Sequence, residues 1–326
     1  MTKLSDSFHR PVNYLRISIT DRCNLRCVYC MPPEGIPLMS HADILSYEEI
    51  CTVARAAADL GIIKIRLTGG EPLVRAGLAT LVAMLADIEG IDDISLTTNA
   101  VLLERYAGQL KNSGLHRVNV SLDSLRGDRY RRITRLGNLD DVLRGIEAAR
   151  QAGLNPVKTN TVIIRGTNDD EVIDFARLTI EGEWHVRFIE YMPFSNGNEH
   201  AGDLLVAVSE MKERIEALGE LEPTFESGGG PAKYFRLPGA KGTIGFISPV
   251  SEHFCKACNR LRLTADGKLR PCLFSDQELD VREPLRHGAT ADDIKRLIQE
   301  AASRKPEGHR LRAGITCERF MAQIGG

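Results

Sequence analysis

The chain has 326 residues, 43% of them hydrophobic and 26% charged, which is enough for a large core in one or two domains. A formal net charge of −2 gives no basic field for nucleic acid, and no apolar run approaches the ~20 residues a membrane span needs. The opening stretch, MTKLSDSFHRPVNY, lacks the apolar core of a secretion signal, so the expected compartment is the cytoplasm, where clustered cysteines bind metal more often than they pair.

The first predicted strand, YLRISI, begins at Tyr14 and leads into a C-x3-C-x2-C run, Cys23, Cys27 and Cys30. Three thiolates at this spacing reach neighbouring irons of a [4Fe–4S] cube and leave one iron open. On spacing alone, a zinc ion with a fourth ligand from elsewhere is an equal alternative. The next stretch, YEEICTVARAAADLG, is helical in period, with Ser46 and Glu49 as a capping box and Gly61 at its end. Cys51 lies beside its apolar face and reads as packing. Strands IIKIRLT, DISLTT, RVNVSLD, PVKTNTVII and WHVRFIEY follow, separated by amphipathic stretches such as LDDVLRGIEAARQAGL, which has Asn138 before it and Gly153 at its end. Strand–helix units recurring roughly every 30–35 residues predict a parallel sheet with helices outside. Six units are two short of a closed eight-fold barrel. The expected fold is therefore α/β, an incomplete (β/α)6 barrel, with an open doubly wound sheet as the alternative.

Parallel strands buried on both faces read as near-continuous apolar runs, but these alternate. One face carries Arg16, Ser18, Lys64, Arg66, Thr97, Asn99, Asn119, Ser121, Asp123, Lys158, Asn160 and Arg187. A polar face in every strand implies a ligand-filled lumen. Its excess of Arg and Lys suits a polyanion, since guanidinium forks match phosphate oxygens. Ordinary solvated charges at strand ends are the plainer reading, against which stand charges centred within strands, such as Arg66 in KIRLT.

From about residue 205 the pattern changes. A helical SEMKERIEALG is followed by the loop ESGGGPAK and β-like segments, which divides the chain into residues 1–225 and an extension, 226–326. The run FCKACNRLRLTADGKLRPCLF holds a second triad, Cys255, Cys258 and Cys272. Asp266-Gly267 predicts a type I′ turn. Pairing outward from it sets Cys272 opposite Leu261 and gathers the three sulfurs. Spacing here favours zinc, with His253 as fourth ligand, over a second cluster. Arg260 and Arg262 alternate onto one face beside the metal, and Arg270 lies on the returning strand. ADDIKRLIQEAASRK reads as a helix and Cys317 as incidental. In the tail, ERFMAQIGG, the apolar FMAQI could dock the final Gly325 and Gly326, which would otherwise fray.

The first triad, with Tyr29 before its last cysteine and a strand ahead of it, resembles that of the radical S-adenosylmethionine (SAM) enzymes. TGGEP at residues 68–72 resembles their glycine-rich segment that contacts the methionine amino group, where glycine lets backbone come close to a ligand. NVSLD resembles the strand end that sits near SAM. With the C-x2-C-x13-C triad and the R-L-R inside it, the chain resembles the GTP 3′,8-cyclase family of molybdenum cofactor biosynthesis, from YLRISITDRCNLRCVYCMP through VRFIEYM to the final IGG.

That resemblance implies a [4Fe–4S] cluster at each triad, the second one closing the barrel mouth, and sets the zinc reading aside. It implies SAM at Tyr29, Gly70, Ser121, Met192 and Arg187, and GTP at Arg16, Arg66, Thr97, Lys158, Arg260 and Arg262. It also implies a catalytic part for Cys23, Cys27, Cys30, Gly325 and Gly326. The implied reaction takes the ribose 3′ hydrogen with a 5′-deoxyadenosyl radical, after which C3′ attacks C8 of guanine to give (8S)-3′,8-cyclo-7,8-dihydroguanosine 5′-triphosphate. Implied partners are a reductant such as flavodoxin or ferredoxin, the next enzyme (cyclic pyranopterin monophosphate synthase) and a second copy of the chain. The competing classes are a radical SAM peptide-maturation enzyme with an auxiliary cluster and a non-enzymatic zinc or iron–sulfur carrier.

Overall fold

The structure, a computed structural model, describes residues 3–192, 201–226, 230–309 and 319–325; Cys317 and Gly326 lie outside them. Six parallel strands stand side by side in chain order: β1 (Tyr14–Ser18), β2 (Lys64–Thr68), β3 (Asp93–Thr98), β4 (Arg117–Ser121), β5 (Lys158–Ile163) and β6 (His185–Glu190). The crossovers carry α1 (Tyr47–Asp59), α2 (Leu78–Ala86), α3 (Leu103–Asn112), the pair α4 (Gly127–Thr134) and α5 (Leu139–Gln151), and α6 (Val172–Glu181). The expected caps are in place: Ser46 accepts from the Glu49 N–H at 3.1 Å while Glu49 accepts from the Ser46 N–H at 2.7 Å, and Asn138 accepts from the Asp140 N–H.

Strand alternation decides which face is packed. Ile17, Ile65, Leu67, Ile94, Leu96, Val118, Val120, Val186 and Phe188 are buried in one core with Ile50, Val53, Leu81, Leu110, Ile146 and Phe175 of the helices. The opposite face of the sheet carries the polar side chains and borders a cavity. A doubly wound sheet would have helices on both faces. This sheet is instead an open, partly wrapped (β/α)6 array.

The rest of the chain completes the same sheet. After α7 (Val208–Ile215) come β7 (Glu222–Thr224), β8 (Lys233–Arg236), β9 (Thr243–Ile247), β10 (Arg260–Leu263), β11 (Lys268–Arg270) and β12 (Leu279–Asp280). β9 pairs in parallel with β6, and β10 in parallel with β1. The strand order is β12-β11-β10-β1-β2-β3-β4-β5-β6-β9-β8-β7. Both edges of the six-strand array are therefore covered by strands from beyond residue 240. Three helices end the fold: α8 (Arg282–Arg286), α9 (Ala291–Ser303) and α10 (Met321–Ile324).

The β10–β11 hairpin departs from its expected register by one residue. Arg262 faces Arg270 and Leu263 faces Leu269, which sets Cys272 opposite Arg260 rather than Leu261. The cause is a three-residue connection: Thr264 N–H donates to the Lys268 carbonyl, and Gly267 takes the left-handed bulge position with φ +77°. A type I′ turn has only two central residues.

Candidate functional site

Both cysteine triads and the polar face of the sheet border one cavity. Its lining includes Cys23, Cys27, Cys30, Cys255, Cys258 and Cys272. Of the residues expected to hold ligands, Arg16, Tyr29, Arg66, Gly70, Thr97, Ser121, Arg187, Met192, Arg260 and Arg262 line it as well. Asn99, Asp123 and Asn160, read only as members of the polar face, join them.

The first triad sits on the loop leaving β1, and the loop after β2 fixes its shape. Gly70 N–H donates to the Thr20 carbonyl at 2.7 Å, and Glu71 N–H to the Arg22 carbonyl at 2.8 Å. A Cβ on Gly70 would collide with the Arg22 carbonyl, and one on Gly69 would lie 2.6 Å from the Thr20 carbonyl. Approach of the two backbones thus requires these glycines before any ligand does, which changes the reason expected from the sequence. Glu71 turns inward to accept from Leu73 N–H, Thr98 Oγ1 and Asn99 N–H at 2.7–3.0 Å, and burial pushes its carboxyl up to about 7. Asn99 Nδ2 in turn donates to Asn24 Oδ1 at 2.8 Å, inside the cysteine loop. On the other side Tyr29 donates to Asp123 at 2.7 Å, and burial lifts that carboxyl to about 6.

Burial pushes the Cys23 thiol up to about 11 and the Cys30 thiol up to about 12. Thiols so placed stay protonated unless a metal takes the proton's place, so they are not free nucleophiles. Neither triad gathers its sulfurs tightly enough for a single ion. Among the described residues the one close group is His253, Cys255 and His309, with ligand atoms within 4.8 Å of one another. At the first triad three spread sulfurs facing the cavity fit the corners of a cube better than a tetrahedral zinc, while the second triad also has the close His253, Cys255 and His309 group.

The sheet register builds an arginine row. Arg66 on β2 faces Arg16 on β1, Arg16 faces Arg262 on β10, and Arg262 faces Arg270 on β11. Like charges directly opposite one another destabilise a sheet. Arg270 is neutralised inside the protein by Glu278. The other three line the cavity, where burial and the Arg262 charge hold Arg16 well below the usual arginine range, and burial with Arg260 pulls Arg262 down to about 9. Thr97 Oγ1, Asn160 Oδ1 and Arg187 Nε are buried on the same face without a hydrogen-bond partner among the described residues. Buried polar atoms left open this way mark a place for a ligand, and the row of cations makes that ligand an anion.

Lys158 stands apart from that row. It is 2% exposed, does not border the cavity, and pairs with Glu226 at 3.1 Å. The tail does dock: Ala322 and Ile324 of α10 are buried, the Ala322 N–H donates toward the Cys30 sulfur, and the Gly325 carbonyl accepts from Arg262 at 2.5 Å.

At the second triad, burial raises the Cys258 thiol but Arg260 and Lys305 overcome it, bringing it to about 6. Arg260 Nη2 and Lys305 Nζ lie 3.6 and 3.5 Å from its sulfur. His253 and His309 approach Cys255, with 3.1 Å between their ring nitrogens. The sequence reading missed Lys305 and His309, since SRKPEGH looks like an ordinary polar helix end and only the folded chain brings it to the triad.

The chain matches the Radical SAM superfamily over residues 17–179 and the Molybdenum Cofactor Synthesis C family over residues 184–311. Its relatives include the GTP 3′,8-cyclase of Pelotomaculum thermopropionicum, 56% identical with 99% of this chain and 100% of that protein covered. The GTP 3′,8-cyclase of Moorella thermoacetica is 55% identical, with 99% and 100% covered. Among solved structures, Streptococcus suis SuiB bound to S-adenosylmethionine superposes with a TM-score of 0.59 at 14% identity, covering 86% of this chain. The chain spans 63% of that protein's length, and the likeness is one of fold alone. Native anSMEcpe with bound AdoMet gives a TM-score of 0.52 at 15% identity over 82% of this chain and 77% of that one, again a likeness of fold.

Proposed function

Since this chain belongs to the GTP 3′,8-cyclase family of radical SAM enzymes, we propose that it converts GTP to (8S)-3′,8-cyclo-7,8-dihydroguanosine 5′-triphosphate, the first step of molybdenum cofactor biosynthesis. The observation that carries this reading is the row Arg66–Arg16–Arg262, set in one cavity between the two cysteine triads. A triphosphate suits a row of guanidinium groups bordering one cavity, because their forks match its oxygens.

Cys23, Cys27 and Cys30 would hold a cluster that, with SAM, would supply the radical chemistry, and Cys255, Cys258 and Cys272 would hold a second cluster that would serve the guanine side. The chain's own groups do the rest. Tyr29, Gly70, Ser121, Arg187 and Met192 surround SAM. Arg16, Arg66, Thr97, Arg260 and Arg262 hold GTP so that the ribose 3′ hydrogen faces the SAM side, and Lys158 joins them once released from Glu226. Fixing both reactants in a water-poor cavity can lower the barrier by several kcal/mol. Gly325, whose carbonyl accepts from Arg262, helps to complete the arrangement there, and the catalytic part proposed for Gly326 falls outside the described residues.

In this reading residues 1–225 hold SAM, and 226–326 bring the second cluster to the barrel mouth. A flavodoxin- or ferredoxin-like protein supplies electrons, cyclic pyranopterin monophosphate synthase takes the product, and a second copy of the chain is a further candidate partner. Among the described residues no helix is long and apolar enough to cross a membrane, and the proposed place of work is the cytoplasm. The test is anaerobic reconstitution with iron and sulfide, followed by reductant, SAM and GTP. Consumption of GTP with formation of 5′-deoxyadenosine and the cyclised nucleotide is expected. SAM cleavage that GTP does not stimulate, with GTP recovered intact, would refute the reading.

A further inference from the structure

Lys305 has no part in the reaction as set out above, yet its surroundings are specific. It is 3% exposed, and its Nζ lies 2.8 Å from the Arg260 carbonyl, 3.2 Å from the Pro271 carbonyl and 3.5 Å from Cys258 Sγ. Three acceptors match the three N–H bonds of an ammonium, whereas a neutral amine would turn its lone pair toward one of them. A buried ammonium is costly unless a negative charge lies beside it. Cys258 Sγ, 3.5 Å away and a ligand of the proposed cluster, would supply that charge.

The loop that presents Lys305 is held from the far end of the chain. Arg10, itself bound to Asp6 at 2.5 Å, donates to the carbonyls of Pro306 at 2.6 Å, Glu307 at 3.0 Å and Cys255 at 2.7 Å. Ser7 Oγ donates to the Ser303 carbonyl at 2.6 Å. One clamp thus fixes the residues on both sides of Lys305 together with the first cysteine of the triad. Unlike Arg260, Lys305 does not border the cavity, so it meets Cys258 from the protein side and no substrate displaces it.

We propose that Lys305 is a positioning residue that acts through Cys258: its fixed positive charge stabilises the reduced state of the second cluster and so sets that cluster's reduction potential. The inference rests on the reading that Cys255, Cys258 and Cys272 hold a [4Fe–4S] cluster. The step is a one-electron reduction by an external one-electron donor. It adds one negative charge to the cluster, moves no proton and breaks no bond.

The experiment compares Lys305→Met, which keeps the length and removes the charge, with Lys305→Arg, which keeps the charge. Each is made in the full chain and again with Cys23, Cys27 and Cys30 replaced by Ala, so that the second cluster can be titrated alone. Iron is counted, and the midpoint potential is followed by electron paramagnetic resonance, with dithionite as reductant. Lys305→Met should keep the iron of the parent and become about tenfold harder to reduce, ~59 mV lower for one electron, while Lys305→Arg stays near the parent. Loss of the second cluster's iron in Lys305→Met alone would overturn the proposal, since the charge would then hold the cluster rather than set its potential. An unchanged potential in Lys305→Met with full iron would overturn the proposal, as would equal iron loss in both variants, which marks a packing role. A parent chain with only four irons would instead remove the second cluster on which the inference rests.

Discussion

Lys158 and Glu226 lie 3.1 Å apart, the lysine on β5 and the carboxylate just past β7, with the rings of Tyr234 and His185 beside them. Alternation along β5 puts Lys158 on the same face as Asn160, which does border the cavity. In this structure a carboxylate therefore stands where a phosphate oxygen would be expected. Glu226→Gln keeps the shape and removes the competing charge. We expect GTP to bind roughly tenfold more tightly, about 1.4 kcal/mol, with SAM affinity unchanged; isothermal calorimetry on the reconstituted protein measures both. An unaltered GTP affinity would assign Lys158 to the scaffold. The contrast with Arg16, Arg66 and Arg262 shows what one sequence can reveal. The place of Arg16 and Arg66 on the lumen face follows from a period of two, which is local, whereas that of Arg262 needs the pairing of β10 with β1. Whether a lysine on that face is already paired depends on a loop that arrives from elsewhere in the chain.

Between residues and molecule, the loops at the ends of β2 and β3 act as one tie, and Glu71 is its knot. Gln at this position would turn an N–H toward one of three donors, at a cost of roughly 1–3 kcal/mol, read as a lower urea midpoint. The carboxyl of Glu71, ordinarily near 4.5, is held up at about 7 by burial despite those donors. Between these two values the folded chain keeps a proton that the unfolded chain releases, so this group's contribution to stability is full below 4.5 and is lost as pH rises through 7. The slope is at most about 1.4 kcal/mol per pH unit. Glu71→Gln removes that slope, so its deficit against the parent should narrow between pH 5.5 and pH 8. A deficit independent of pH would mean that Glu71 is ionised throughout. At this scale the six strands, the capping box of α1 and the docking of FMAQI were all legible, because alternation, caps and apolar stretches are local signals. The parallel joints of β9 to β6 and β10 to β1 were not, since nothing within TIGFI or RLRL names the partner strand. The hairpin register slipped because Asp-Gly serves both a two-residue turn and a three-residue bulged one.

For the whole molecule the two triads should be separable by iron. The reconstituted chain should carry about eight irons, four per cluster. Replacing Cys23, Cys27 and Cys30 by Ala should halve the iron and abolish SAM cleavage. Replacing Cys255, Cys258 and Cys272 should also halve it but leave some SAM cleavage uncoupled from GTP. One zinc per chain with four irons would instead assign the second site to a single ion, with His253 and His309 beside Cys255 as its added ligands. The cysteine positions were plain in the sequence; what the fold adds is that both sets open onto one cavity. That shared cavity depends on strands β9 and β10 covering the two edges of the six-strand array. A ribosome completes β6 some 70 residues before β10, a delay of roughly 4–14 s at ordinary elongation rates. Until β9 is made, which takes up most of that interval, the nascent barrel has two unpaired parallel edges, and the β1 edge stays open until β10 follows, a state prone to sticking to other chains. The same interval leaves Cys23, Cys27 and Cys30 uncovered, so the order of synthesis itself opens a window in which the first cluster can be delivered before the mouth is closed.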